Sequence, residues 1–111
     1  MTSSAAESSA VIVLTTVGAD TDAAELARTL VEQRLVACVN IIGGMTSVYR
    51  WKDGVEQDDE QLLVMKTTND LLVALEARLR ELHPYELPEF VVVPVSGGSE
   101  AYLGWLCGPV G

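Results

Sequence analysis

Val11 to Thr15 is a continuous β-branched and aliphatic run closed by Gly18-Ala-Asp20, the pattern of a buried strand that ends in a loop. The period then changes. Ala23, Leu26, Ala27, Leu30 and Val31 recur at helical spacing. Asp22 followed three places later by Glu25 supplies a helix start, and the helix is expected to end near Arg34. Ala37 to Trp51 returns to strand formers, with Gly43-Gly44 placed where a bulge can re-aim the chain. Lys52-Asp53-Gly54 holds the Asp-Gly pair of a tight turn, and Glu60 to Thr67 reads as the returning strand of a long hairpin. Asn69 is the expected cap of a second helix, in which Leu72, Leu75, Leu79 and Leu82 share a face and Glu76 can pair with Arg80. Pro84 stops that helix at Leu82 or His83, because proline lacks an N–H and drives the residue before it out of the helical region. Phe90 to Val95 is the fourth strand, and Ser99 to Leu106 forms a short terminal helix.

The order β-α-β-β-α-β with a tail helix predicts an α+β fold of the ferredoxin-like, split β-α-β type. Its antiparallel four-stranded sheet carries both long helices on one face. The other face then needs a cover. Helices of about 13 residues span roughly 20 Å, so the hairpin outruns them and its tip projects with free strand edges. Self-association through these strands is the expected consequence.

At 111 residues and 49% hydrophobic composition the chain is one domain, 11–111, preceded by a Ser/Ala-rich tail over 1–10 expected to be disordered. Sixteen acidic against seven basic residues leave a net charge of -9 and no basic stripe, which excludes nucleic acid and anionic membrane as partners. No apolar run approaches the roughly 20 residues of a membrane span. The tail lacks the basic start of a secretory signal, and Cys38 and Cys107 form no C-x-x-C pair. A reducing cytoplasm is the expected setting.

The only histidine lies in Glu81 to Glu89 (ELHPYELPE), a proline-stiffened corner that also supplies a phenol and carboxylates. Imidazole, phenol and carboxylate together suit metal ligation or proton transfer, whereas a histidine closing a helix can also simply satisfy its last carbonyls. Cys38 is open to two readings, a small buried hydrophobe or a soft thiolate donor to Cu(I). Lys66 either snorkels to solvent or holds an anion. Glu56 to Glu60 (EQDDE) is read as a solvated strand end that protects an edge, and Trp51, Tyr102 and Trp105 as packing anchors.

Five segments in order, LVACVNI at 35–41, SVYRW at 47–51, Glu60 through Lys66-Thr67, HPYELPE at 83–89 and YLGW at 102–105, resemble the CutA divalent-cation tolerance family over about 11–106. The resemblance implies a ferredoxin-like homotrimer similar to the PII signalling proteins, with a cleft between subunits and a role in metal-ion response, chiefly copper tolerance. It carries Cys38, Lys66, His83, Tyr85 and Glu89 onto the polar positions of that cleft. Cys38 and His83 are the expected metal ligands, for copper or another divalent ion, and Lys66, Tyr85 and Glu89 the expected ligand-binding groups. Thr15 and Thr16 stand where some members carry another cysteine, so copper affinity is expected to be modest. One Cys and one His fall short of the four ligands of a structural zinc site. No reaction motif is present, and the expectation is a binding protein rather than an enzyme. Two rivals remain, a PII-like sensor of an anionic small molecule and an enzyme with Cys38 as nucleophile and His83 as base.

Overall fold

The computed structural model describes residues 9–108. The expected tail therefore lies outside the described residues except for its last two positions, and Ala10 opens the first strand with 1% of its surface exposed. Residues 109–111 of the expected domain also lie outside.

Strand β1 (Ala10–Gly18) is central: it pairs antiparallel with β3 (Gly54–Thr68) from Ala10↔Thr68 to Gly18↔Glu60, and with β4 (Val91–Pro94) from Val11↔Pro94 to Leu14↔Val91. Strand β2 (Cys38–Trp51) completes a four-stranded sheet of order β2-β3-β1-β4, which is the ferredoxin-like arrangement. Helices α1 (Ala23–Glu32) and α2 (Leu72–Leu82) supply Leu26, Leu30, Leu75 and Leu79 to the same buried cluster as Val11, Val13, Val17, Leu63 and Met65. That cluster is the core. It takes every second residue of β1 because side chains alternate across a strand.

Asp22 caps α1 by accepting the Glu25 amide at 3.1 Å. Gln33 closes the helix and Arg34 turns to a positive φ of 63°, so the helix ends slightly earlier than its pattern suggests. The Gly43-Gly44 expectation holds: register shifts between Ile42 and Met45, and Gly44 has φ 72°, a conformation open to glycine at little cost. The second helix differs from expectation at its start. β3 continues through Thr68, so Asn69 begins a 3-10 turn (Asn69–Leu71), and Leu71 occupies the α2 N-cap without a side-chain cap bond. Glu76 and Arg80 do pair, at 3.8 Å.

The returning hairpin strand begins at Gly54 rather than Glu60, because cross-strand partners outweigh the weak strand propensity of Glu56 to Asp59. Tyr49 donates its hydroxyl to Asp58 across the ribbon. Past the last β1–β3 pair, Gly18↔Glu60, the Ala19 amide still donates to the Asp59 carbonyl at 3.0 Å, and the ribbon then projects from a molecule that measures 50 × 25 × 24 Å.

Helix α3 (Glu100–Cys107), capped by Ser99, buries Leu103 and Leu106 against Ala10 and so covers one end of the second sheet face. By register the rest of that face carries Ile12, Leu14, Leu62 and Val64, flanked by Ile42 and Val93, which are 50% and 40% exposed. No helix among the described residues is long and apolar enough to cross a membrane.

Candidate functional site

The chain stops α2 at Leu82, and His83 takes an extended conformation with φ -81° and ψ 134°, as required before Pro84. This turns the imidazole away from the helix axis and onto the end of β1. His83 Nδ1 accepts the Tyr85 amide at 3.1 Å, so the proton sits on Nε2, which donates to the Thr16 carbonyl at 2.7 Å. His83 is 6% exposed, and burial pushes its pKa below 6.5 against the opposing pull of the Thr16 carbonyl and Glu60. The ring is neutral and both nitrogens are engaged. Metal ligation would require one of these bonds to break, which makes His83 a positioning group in the single protomer rather than an open ligand.

Tyr85 packs on His83 with ring centroids 4.8 Å apart and donates its hydroxyl to Glu60 Oε2 at 2.5 Å. Burial, then this bond to a carboxylate, push the Tyr85 pKa far up. The Tyr85 hydroxyl also lies against Gly18, where an added Cβ would stand at an ordinary contact distance of 3.7 Å. Glu89 joins the same region electrostatically: burial and then the charge of Glu60 raise its pKa. The sequence pattern puts Glu60 in a solvated run, yet it is 6% exposed. Its signal was its place at the start of the apolar run 62–65, on the same strand parity as Leu62 and Val64. Gln61 was missed as well. It donates to the Gly18 and Thr21 carbonyls at 2.9 and 3.0 Å and fixes the loop after β1.

The second group lies toward the other end of the sheet. Cys38 stands opposite Lys66 in the β2–β3 register, with Sγ 3.9 Å from Asn40 Oδ1. Lys66 Nζ donates to the Tyr102 hydroxyl at 3.4 Å and lies 5.6 Å from that ring's centroid. Tyr102, expected to be a packing anchor, thus also holds the lysine. The ion pairs among the described residues belong to Arg78 and Arg80, not to Lys66.

Within one protomer the two groups do not meet. Cys38 is in register with Lys66 and, through it, Ile12, whereas His83 meets Thr16, four residues further along β1. At about 3.3 Å per residue and 4.8 Å per strand, the offset is about 13 Å along the sheet and about 10 Å across it. A nucleophile–base pair at hydrogen-bond distance is therefore absent from the single chain. Among the described residues no three His, Cys, Asp or Glu side chains converge as a metal site. What the protomer offers is a thiol beside a lysine on one surface, and a neutral, fully bonded imidazole with a half-buried phenol on a buried carboxylate on another.

The chain matches the family described as CutA1 divalent ion tolerance protein over residues 11–108. It is 47% identical over 95 residues to the divalent-cation tolerance protein CutA of Thermus thermophilus, covering 86% of this chain and 92% of that relative. A solved divalent cation tolerance protein (Cut A1) from Thermus thermophilus superposes with a TM-score of 0.87 at 45% identity, covering 92% of this chain and 99% of the other. The PII-like protein CutA from Nostoc sp. PCC 7120 in apo form gives 0.83 at 38% identity, covering 91% and 97%. The chain spans about half the length of the mouse and human relatives, 48% and 47%.

Proposed function

Since this chain belongs to the CutA1 divalent ion tolerance protein family, we propose that it acts in the cytoplasm as a homotrimer that binds copper or another divalent ion in a cleft between subunits. The observation that carries this reading is the incompleteness of the single protomer: Cys38 and His83 lie apart, while an apolar sheet face and a projecting ribbon stand uncovered. Apposing copies supplies both a cover and a second set of ligands. Cys38 is the soft donor, suited to Cu(I), and stands opposite Lys66 in the β2–β3 register. His83, Tyr85 and Glu89 wall the cleft from the neighbouring subunit. His83 either orients Tyr85 or becomes a ligand after releasing the Thr16 carbonyl. The role is binding rather than catalysis.

Titration with Cu(I), Cu(II) and Zn(II) tests the proposal. Tight Cu(I) binding that is lost in Cys38→Ser and only reduced in His83→Ala supports it, and equal binding by all three proteins overturns the metal role. Light scattering tests the assembly, with about 36 kDa expected, three times the 11.9 kDa chain. Lys66 favours one second reading, a PII-like sensor, because a cation on a sheet face that, among the described residues, is held by the Tyr102 phenol suits an anionic ligand. Thermal stabilisation by anionic metabolites without metal, abolished in Lys66→Ala, would select that reading.

A further inference from the structure

A stiff corner at the end of α2 encloses a groove that the proposed copper site does not use. Pro84 and Pro88 fix φ on either side of Tyr85, Glu86 and Leu87. The His83 ring accepts the Tyr85 amide, so the corner holds its shape without a ligand. Between this corner and α2 lies a groove of ≈ 240 Å³. Leu79 and Phe90 form its floor, Leu79 as a member of the buried core cluster and Phe90 packed against that cluster. Leu87 stands over the floor and is 68% exposed. A single exposed leucine is ordinary, but one that faces an apolar floor completes a hydrocarbon slot.

The rim sets the sign of the occupant. Glu76, Arg80 and Glu86 border the groove. Arg80 lies 3.8 Å from Glu76, a loose surface pair, whereas Glu86 has no ion-pair partner among the described residues. Two carboxylates against one guanidinium leave the mouth net negative, in a chain whose net charge is -9. Tyr85 forms a wall and donates its hydroxyl to Glu60. A phenol bonded in this way to a carboxylate has a more electron-rich ring face, and such a face attracts cations. The size is equally restrictive. The groove has the room of about eight waters at roughly 30 Å³ each and falls below the roughly 300–1,000 Å³ of drug-sized sites, so it admits one ring or a short branched chain.

We infer that the α2–loop groove binds a small organic ammonium ion with an aryl or branched-alkyl body, its hydrocarbon on Leu79, Leu87 and Phe90 and its ammonium between the Glu86 carboxylate and the Tyr85 ring. The site goes beyond the copper reading and requires neither Cys38 nor a metal. Because the same corner docks His83 on the Thr16 carbonyl, a bound amine also braces that end of the sheet.

Calorimetric titration of the metal-free full chain tests the site, with phenethylammonium chloride as the probe and phenylalanine and phenylacetate as its zwitterionic and anionic counterparts at equal ionic strength. One phenethylammonium per protomer is expected to bind saturably, phenylalanine about tenfold more weakly and phenylacetate not at all. Glu86→Gln and Leu87→Ser should each weaken phenethylammonium about three- to tenfold, whereas Glu32→Gln, which removes an exposed carboxylate on α1, should leave it unchanged. Absence of saturation, equal binding of the three probes, or an equal loss in Glu32→Gln overturns the site. Should either groove variant fail to fold, amide chemical shifts of the wild-type chain decide: changes on adding phenethylammonium are expected within 76–90, and changes centred elsewhere overturn the inference.

Discussion

Two buried threonines on neighbouring strands should respond to the same substitution with opposite signs. Thr15 and Thr67 are both 0% exposed. Thr67 Oγ1 donates to the Leu35 carbonyl at 2.8 Å, tying the end of β3 to the segment that leads into β2. Among the described residues Thr15 Oγ1 has no hydrogen-bond partner, although it lies on the helix-covered side of β1 opposite Leu63. Valine has the same branched shape, so each exchange replaces a hydroxyl by a methyl without opening a cavity. At Thr15 it removes an unpaired buried hydroxyl, whose desolvation costs about 1–3 kcal/mol, and Thr15→Val should stabilise by about 1–2 kcal/mol. At Thr67 it removes a bond and strands a carbonyl, and Thr67→Val should destabilise by about 1–3 kcal/mol.

Urea unfolding at one fixed protomer concentration measures both, because the stability of an assembly depends on concentration. The midpoints should move in opposite directions with little change in slope. Each kcal/mol corresponds to about 4–8 °C in melting temperature for a domain of roughly this size. A destabilised Thr15→Val, or equal shifts for the two variants, would refute the argument that the missing partner sets the sign.

Three further outcomes follow from the site and the ribbon. His83 is the only histidine, so its imidazole signals can be followed by NMR without assignment, and they should remain those of an Nε2–H neutral ring as pH falls below 6.5. Because its folded pKa is lowered, the unfolded chain takes up the proton first. The stability is complete above about pH 6.5 and is lost as pH falls from there toward the folded pKa, and His83→Gln should flatten that slope. Tyr85→Phe leaves the Glu60 carboxylate, 6% exposed, without its phenol donor and should cost about 1.5–3 kcal/mol by chemical unfolding; an unchanged midpoint would mean that water replaces the hydroxyl. Trp51→Ala should weaken the proposed trimer by about 2–4 kcal/mol, read as a rise in the protomer concentration at which light scattering shows dissociation. Unchanged assembly would place Trp51 in solvent.

The parts of the fold legible in the sequence are those fixed by a residue's own chemistry or by a period. Alternation in β1, the Asp22 cap, the Gly44 bulge and the stop at Pro84 each have a local cause, and the element order then leaves few topologies. The differences arise where a distant partner decides. Asn69 has the chemistry of a cap, but the pairing of Thr68 with Ala10 extends β3 and leaves room only for a tight turn. Glu56 to Asp59 look like a charged loop, yet the cross-strand Tyr49–Asp58 bond and the β2 ladder hold them in a strand. The same logic governs the site. His83 is conspicuous as a lone imidazole, but its role depends on the Thr16 carbonyl 67 positions away and on the Tyr85 amide, which together occupy both ring nitrogens. Glu60 is inconspicuous among neighbouring carboxylates and becomes distinct through its burial and the Tyr85 hydroxyl it accepts. A residue's type marks where chemistry is available, and its partners decide which lone pair or proton is left to perform it. In this chain Cys38 and Lys66 retain that freedom within the protomer and His83 does not, so the proposed copper binding begins from the thiol and takes its remaining donors across the subunit boundary.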